Sequence, residues 1–184
     1  MIFMDFEASA GMGGFPIEVG FCIVNADKTM QAAAKLIRHD EWLDELQRWD
    51  WRAEQIHRID RASLMEFGQS PKTVMRWLND QLAGMVAFAD SPMDKLWLDE
   101  LAAVAGIVPA FGLEQIAGAF DGSEISAMAY EHGMDMKDTV CPKTHRADRD
   151  SENLATWYLL SLPHDAQVHR VFLAGAGTDR RALA

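Results

Sequence analysis

The sequence has little of what marks secreted, membrane-spanning or zinc-binding proteins. Only Cys22 and Cys141 are cysteines among its 184 residues, so it offers at most one disulfide and no cysteine spacing of a zinc site. It has no run of about 20 apolar residues; the longest candidate, residues 101–113, is broken by Gly106 and Pro109. No basic segment precedes the first apolar residues, which argues against a signal peptide. We therefore expect a reduced, cytoplasmic protein with no membrane partner.

Basic residues are also scarce. The chain has 17 Lys and Arg against 28 Asp and Glu, a formal net charge of −11. Proteins that hold long nucleic acids neutralise many phosphates with Lys and Arg, so this charge argues against a protein that coats long nucleic acids. A nucleic-acid ligand would be gripped only at a short end, with metal ions supplying positive charge. The alternative is that the acidity only keeps a cytoplasmic protein soluble.

Apolar residues, in contrast, are abundant. They make up 49% of the chain and include six Trp and nine Phe, enough for the core of a single domain. Apolar stretches bounded by turn signals predict strands at residues 1–7, 16–25, 28–38 and 85–89.

Two serine–proline pairs predict helix starts, because serine caps a helix and proline suits its first position. One expected helix starts at Ser70-Pro71, and a second runs from Ser91-Pro92 to about residue 105. A third covers residues 122–132, and a fourth runs from near Asp148 to just before Pro163. Strands followed by alternating strand and helix predict an α/β fold, a mixed β-sheet flanked by α-helices. We assign residues 1–174 to this domain and 175–184 to a C-terminal tail.

Asp5 and Glu7 form the first acidic pair of interest. They are one residue apart in a predicted strand, so alternation places both carboxylates on one face and Phe6 on the other. Two carboxylates this close to an apolar run repel each other and resist burial. A divalent cation would remove both costs, and oxygen ligands suit Mg²⁺ or Mn²⁺. The alternative is that the pair only marks an exposed strand end.

Asp94 and Asp150 lie in the first turns of two predicted helices. A carboxylate there is favoured by the helix dipole, which is the simplest explanation of both. However, each aspartate also shares a helical face with large apolar residues, Trp97 and Leu98 for Asp94 and Leu154 for Asp150. Both carboxylates should therefore face inward. No Lys or Arg is evidently placed to pair with them, which favours a metal cluster.

His145 stands five residues before Asp150, a spacing that predicts a loop histidine leading into the helix that carries the aspartate. A histidine beside a metal site can take a proton from water. The alternative is a surface or capping residue.

Taken in order, these residues resemble the DEDDh superfamily of 3′→5′ exonucleases, which includes proofreading subunits, oligoribonuclease and RNase T. Four segments carry the resemblance: Met4-Asp5-Phe6-Glu7-Ala8-Ser9 with Pro16-Ile17-Glu18-Val19-Gly20 after it, Gln55-Ile56-His57-Arg58-Ile59, Ala89-Asp90-Ser91-Pro92-Met93-Asp94, and His145-Arg146-Ala147-Asp148-Arg149-Asp150. Arg58 replaces the usual Gly, and Asp90 occupies a place where Asn is common. His164-Asp165-Ala166 also looks like a start of the third motif, but it lacks an aspartate five residues later.

The resemblance implies an RNase H-like fold and hydrolysis with two divalent cations, Mg²⁺ or Mn²⁺. Asp5 would bridge both ions, Glu7 and Asp150 would hold one, and Asp94 the other, with His145 as the general base. The expected substrate is the 3′ end of single-stranded RNA or DNA, and the product a nucleoside 5′-monophosphate. The residues that the resemblance places near the terminal nucleotide are Ala8, Ser9, Met12, Phe15, His57 and Asp90.

Other functions remain open at this point. The chain could hydrolyse another small phosphodiester, or it could be a non-catalytic module that binds nucleic-acid ends. Five intact catalytic positions disfavour such a module, because binding needs no general base. The sequence does not choose RNA over DNA, since no motif encodes contacts to the 2′-hydroxyl. Acidic relatives that trim short oligomers are often homodimers, which makes a homodimer an option here.

Overall fold

A computed structural model of the chain describes residues 1–120 and 127–162. The strands in these residues are β1 (Ile2–Ala8), β2 (Pro16–Val24), β3 (Met30–Leu36), β4 (Val86–Ala89) and β5 (Gly112–Gln115). The helices there are α1 (Asp40–Asp44), α2 (Trp51–His57), α3 (Arg61–Phe67), α4 (Pro71–Leu82), α5 (Pro92–Ala105), α6 (Ala117–Phe120), α7 (Ala127–Val140) and α8 (Ala147–Ser161), with a 3₁₀ turn at Leu46–Arg48. The predicted tail 175–184, the domain end at 174 and His164 lie outside the described residues. No helix among the described residues is long and apolar enough to span a membrane.

The strands form one mixed sheet in the order β3-β2-β1-β4-β5. Strand β2 is antiparallel to both β1 and β3, whereas β1, β4 and β5 run parallel to one another. The mixed sheet flanked by helices confirms the predicted fold class. Because β1 and β4 are parallel, their carboxyl ends meet at the same edge of the sheet. That edge holds Glu7 at the end of β1 and Asp90 directly after β4.

The two faces of the sheet bury different side chains. In β1, Ile2, Met4 and Phe6 enter the core that contains the apolar faces of α4 and α5. Phe3 instead enters the core that contains residues of α8. By alternation, Asp5 and Glu7 lie on the α8 face, opposite Phe6, as predicted.

The helix starts at the serine–proline pairs are also confirmed. The Ser70 hydroxyl accepts a hydrogen bond from the Thr73 amide, and the Ser91 hydroxyl accepts one from the Met93 amide. Helix α5 starts three residues after β4 ends, so its first turn lies at the carboxyl edge of the sheet.

Several elements differ from the sequence prediction. Helices α1, α2 and α3 and strand β5 were not predicted. The helix expected over residues 122–132 extends to Val140, and residues 121–126 are outside the described part. Helix α2 ends at Arg58, which adopts the left-handed conformation with φ 58° and ψ 29°. Glycine adopts this conformation most easily, so Arg58 holds a backbone conformation that is unfavourable for a residue with a side chain.

Candidate metal centre and active site

The carboxyl edge of the sheet brings the predicted acidic residues together. Asp5 is 8% exposed in the middle of β1, and Glu7 is half-buried at the end of the strand. Their strand is fixed on one side by β2, where Glu18 lies directly opposite Glu7.

Asp94 reaches this edge from the first turn of α5. It is 1% exposed, and its Oδ1 accepts a hydrogen bond of 3.2 Å from the Phe6 amide of β1. Its other oxygen, Oδ2, has no hydrogen-bond partner, and neither has Oδ2 of Asp5. The predicted inward orientation of Asp94 is confirmed. Buried carboxylate oxygens without a donor are rare in stable proteins, so these two atoms are candidate ligands for a cation.

Asp150 and His145 reach the same place from the start of α8. Asp150 is 3% exposed, and its Oδ1 accepts a 2.9 Å hydrogen bond from the Thr144 amide. His145 is exposed in the loop before the helix, as predicted, with φ at 54°. One ligand atom each from Glu7, His145 and Asp150 lie within 4.8 Å of one another. The side chains of these three residues are therefore close enough to contact one metal ion.

Burial raises the pKa of Asp5, Glu7, Asp94 and Asp150, and repulsion by neighbouring carboxylates adds to it for the first three. Burial and then the charge of Asp94 raise the pKa of Asp5 well above 3.8. Burial and then Asp150 raise the pKa of Glu7 to about 8, and burial and then Asp90 raise that of Asp94 to about 7. Burial also raises the pKa of Asp150.

These shifts mean that the positive charge around the cluster does not balance its carboxylates. A divalent cation would favour the ionised carboxylates and supply partners for the two unpaired oxygens. Carboxylate oxygens are the ligands that Mg²⁺ and Mn²⁺ prefer, and the site also offers one imidazole. The residues present therefore fit a divalent metal centre.

One positive charge does lie at the site, which partly corrects the sequence prediction. The Lys143 ammonium is 2.9 Å from Oδ2 of Asp90. Burial is the largest single influence and lowers the pKa of Lys143, but the hydrogen bond to Asp90 and the charges of Asp90, Asp5 and Asp150 together raise the pKa of the ammonium. The pair was not evident in the sequence because Asp90 and Lys143 are 53 residues apart. A single ammonium does not neutralise five neighbouring carboxyls.

Two of the six residues predicted near substrate form a buried support beneath the loop after β1. The Ser9 hydroxyl donates to the Arg48 carbonyl at 2.7 Å and accepts from the Phe15 amide at 3.0 Å. Phe15 is 1% exposed and stacks on Trp42 with ring centroids 5.4 Å apart. The Phe15 ring therefore belongs to the core, and its place near the terminal nucleotide stays a prediction.

The other four differ in accessibility. Met12 is 93% exposed at the tip of the same loop, and Asp90 is exposed at the rim, held by Lys143. Ala8 is buried at the end of β1. His57 is 2% exposed, and its Nδ1 accepts a 3.0 Å hydrogen bond from the Ile59 amide. Burial and then the charge of Arg146 lower the pKa of His57 to about 4, so this imidazole is neutral at pH 7.

Sequence reasoning also missed a buried ion pair beside the cluster. Glu18 of β2 is 1% exposed and binds the Arg146 guanidinium, with Oε1 2.6 Å from Nη2. The only local signal was that Glu18 shares a strand face with Gly20 and Cys22 in an otherwise apolar strand.

Comparisons with known proteins give structural similarity only. No family model matches the sequence, and no curated protein matches it. Escherichia coli exonuclease I in complex with a dA16 oligonucleotide superimposes with a TM-score of 0.61 at 10% identity, over 84% of this chain and 38% of that one. Exonuclease I from Methylocaldum szegediense gives a TM-score of 0.61 at 11% identity, with the same coverage. The chain thus spans less than two fifths of these exonuclease I chains.

A third similar structure is nearly the size of this chain. Exonuclease X in complex with 5′-overhanging duplex DNA gives a TM-score of 0.52 at 18% identity, over 86% of this chain and 88% of that one. At such identities the similarity concerns the fold, and it confirms the fold that the sequence predicted. The chain has the RNase H-like fold, a mixed five-stranded sheet flanked by helices, that these exonucleases share.

Proposed function

We propose that the chain is a metal-dependent 3′→5′ exonuclease that shortens single-stranded nucleic acid and releases nucleoside 5′-monophosphates. The observation that carries this proposal is the convergence of four buried or half-buried carboxylates and one exposed histidine at one edge of the sheet. They come from β1, from α5 and from the start of α8. The similar structures support it, since all three are of exonucleases.

Each residue then has a defined task. Asp5, Glu7, Asp94 and Asp150 would hold two divalent cations, which when bound supply Lewis acidity to the phosphate oxygens. His145 is exposed beside them and would remove the proton from the attacking water. The water oxygen forms a bond to the phosphorus of the last phosphodiester, and the bond to the 3′-oxygen of the preceding nucleotide breaks. The terminal nucleotide leaves with a 5′-phosphate.

The charge of the chain supports a short, single-stranded substrate. With a formal net charge of −11, the surface offers little to hold a long polyanion. Among the described residues, the exposed Met12 next to β1 provides an apolar contact for a terminal base. A strand gripped only at its 3′ end needs no extended basic track.

A digestion panel tests the proposal. Matched RNA and DNA oligonucleotides carrying a 5′ label are incubated with Mg²⁺ or Mn²⁺, with either a free 3′-hydroxyl or a 3′-phosphate. We expect a ladder that shortens stepwise from the 3′ end, release of nucleoside 5′-monophosphates, suppression by the 3′-phosphate and arrest by EDTA. Products cut first at internal sites or at the 5′ end would contradict the proposed polarity.

The same panel separates the two alternatives. A hydrolase of other small phosphodiesters would cleave dinucleotides or nucleotide conjugates and leave longer strands intact. A non-catalytic end-binding module would retain labelled strands without shortening them under any metal condition. Asp5→Ala serves as the control for contaminating nucleases, because it removes a central carboxylate without changing the purification.

A further inference from the structure

We propose that Glu18 is a positioning residue of this site, holding the turn that presents His145 and the helix start that presents Asp150. The inference rests on the proposed function, because it assigns Glu18 a part in the reaction at the same site. Glu18 touches neither of the two residues itself. It acts through Arg146 and Ala147, which lie between them in the chain.

Both carboxylate oxygens of Glu18 accept hydrogen bonds from the residues that begin α8. Its Oε1 is 2.6 Å from Nη2 of Arg146, and its Oε2 is 3.1 Å from Nε of the same guanidinium. Oε2 also accepts a 2.9 Å hydrogen bond from the Ala147 amide, the first residue of α8. A planar guanidinium bound at two nitrogens, together with a fixed backbone amide, defines the orientation of the turn and not only its distance.

Strand β2 is shaped to receive the start of α8 at this point. Glu18, Gly20 and Cys22 share the face that packs on α8. A Cβ added to Gly20 would lie 2.4 Å from the Ala147 carbonyl carbon, so the helix backbone rests directly on the strand. Close backbone packing sets how near α8 approaches, and the Glu18 contacts set how its first turn is rotated.

The turn held in this way contains a residue in an unfavourable backbone conformation. His145 has φ at 54°, in the left-handed region that is unfavourable for residues other than glycine. The next two residues, Arg146 and Ala147, are the ones bound by Glu18. The Asp150 amide in turn donates to the Arg146 carbonyl at 2.9 Å. The directions of the imidazole and of the Asp150 carboxylate therefore both depend on where Arg146 is fixed.

A carboxylate is an unexpected choice for a purely structural anchor here. Glu18 lies directly opposite Glu7, so its charge raises the pKa of a residue that already resists ionisation, and the charge of Arg146 offsets this rise only in part. Replacing buried ion pairs by apolar residues is often neutral or favourable for stability. The presence of the Glu18 carboxylate beside Glu7 is better explained by the orientation that Glu18 imposes on the turn before α8.

The test compares two replacements of Glu18 with a control on the same helix. Glu18→Ala removes every contact, whereas Glu18→Gln keeps the shape and one oxygen acceptor. The control is Glu152→Gln, which breaks the ion pair with Arg149 but leaves the turn before α8 intact. Single-turnover cleavage of an RNA or DNA oligonucleotide is measured with saturating Mn²⁺, and each rate is normalised to the folded fraction.

We expect Glu18→Ala to lower the chemical step by roughly 10- to 100-fold, the effect of misplacing a catalytic group by about 1 Å. KM should stay within about twofold, because a residue that orients the reacting groups acts on the transition state. Glu18→Gln should recover much of the rate, and Glu152→Gln should match the wild type. Glu18→Ala combined with Arg146→Ala should be no slower than the slower single variant, since both break one linkage.

Mn²⁺ affinity, measured by calorimetry without substrate, gives a readout independent of cleavage. Displacing Asp150 should weaken Mn²⁺ binding several-fold in Glu18→Ala and leave it unchanged in Glu152→Gln. If Glu18→Ala melts earlier but keeps wild-type rate per folded molecule and wild-type Mn²⁺ affinity, Glu18 is only a structural anchor and the inference is wrong. If Glu18→Ala does not fold, Glu18→Gln and Arg146→Lys are judged by the same two measurements. A wild type that cleaves no oligonucleotide refutes the proposed function, while Mn²⁺ affinity still decides whether Glu18 positions the site.

Discussion

Replacing Asp94 by asparagine should make the metal-free protein more stable at alkaline pH and weaken its binding of Mn²⁺. The side chain is 1% exposed, and its Oδ2 has no hydrogen-bond partner. Burial, followed by the charge of Asp90, raises its pKa from 3.8 to about 7. An amide has almost the same shape but carries no charge into this environment.

The sign follows from proton linkage. In the unfolded chain the carboxyl ionises near pH 3.8, whereas in the folded chain it keeps its proton up to about pH 7. The stabilisation associated with the protonated group is therefore complete below pH 3.8 and is lost as the pH rises through about 7. At about 1.4 kcal/mol for each unit of pKa, the loss at pH 8.5 is at most about 4 kcal/mol.

Opposing effects reduce this upper limit. Asparagine keeps an oxygen that can accept the Phe6 amide, so that hydrogen bond is retained. The variant loses the attraction between a first-turn carboxylate and the helix dipole, about 0.3–1 kcal/mol. We therefore expect Asp94→Asn to gain about 1–3 kcal/mol at pH 8.5, which corresponds to roughly 3–10 °C in Tm for a chain of this size.

The measurement is urea unfolding in EDTA at several pH values from 5.5 to 8.5. The gain should be largest at pH 8.5 and shrink towards pH 5.5, where the folded wild type holds the proton on Asp94. Asp99→Asn is the matched control, because Asp99 lies on the same helix but is half-exposed and pairs with Lys95. Its effect should stay within about 0.5 kcal/mol.

Adding Mn²⁺ should reverse the order of stability. A ligand at 100 times its Kd stabilises the folded state by about 2.7 kcal/mol, and the wild type should gain more than the variant because its carboxylate is a proposed ligand. Should Asp94→Asn be no more stable than wild type at pH 8.5, or should its gain be the same at every pH, the carboxylate carries no cost of burial and repulsion. The physical argument for a cation at this position would then fail.

Three further outcomes are expected. Asp5→Ala should abolish cleavage while the metal-free protein stays folded. Its thermal stability should be equal to or higher than that of the wild type, since the change relieves repulsion with Asp94. Full activity of this variant, or of the wild type in EDTA, would contradict a two-metal centre. His145→Ala should lower the single-turnover rate roughly 10²–10⁴-fold, as for loss of a general base, with Mn²⁺ affinity little changed. His164→Ala should leave that rate near the wild-type value. The reverse result would move the third motif to His164. Arg58→Gly should raise the free energy of unfolding by about 0.5–1 kcal/mol by relieving a left-handed residue at the end of α2, and an unchanged or lower Tm would show that the arginine is not strained there.

Signals that act over a few residues were readable in the sequence. The alternation of β1 placed Asp5 and Glu7 on one face, and the serine–proline pair at Ser91 fixed the helix start that turns Asp94 inward. The helical spacing after Asp150 did the same for α8. Each of these features is set by backbone geometry within about two turns or one strand, so the inward orientation of each acidic residue was predictable. That these residues meet at one site was implied by the resemblance to the DEDDh exonucleases.

Features that depend on contacts between distant parts of the chain were not readable. Strand β5 has four residues with no apolar alternation and exists because β4 offers it a parallel edge. The loop after β1 has no local signal for its closure, because Arg48 donates to the Gly13 and Gly14 carbonyls from 34 or more residues away. The contact between Glu18 and Arg146 spans 128 residues and has no local signature.

The raised pKa values also bear on how so acidic a chain would accept a polyanion. Near pH 7 the carboxyls of Glu7 and Asp94 are partly protonated in the metal-free protein, so the site is less negative than its residue types imply. A divalent cation displaces those protons, because it binds the ionised carboxylates, and it adds its own positive charge. A phosphate then meets a site whose charge is set by its metal content. In the proposed exonuclease the metal would therefore govern whether the terminal phosphodiester is held as well as how it is cleaved.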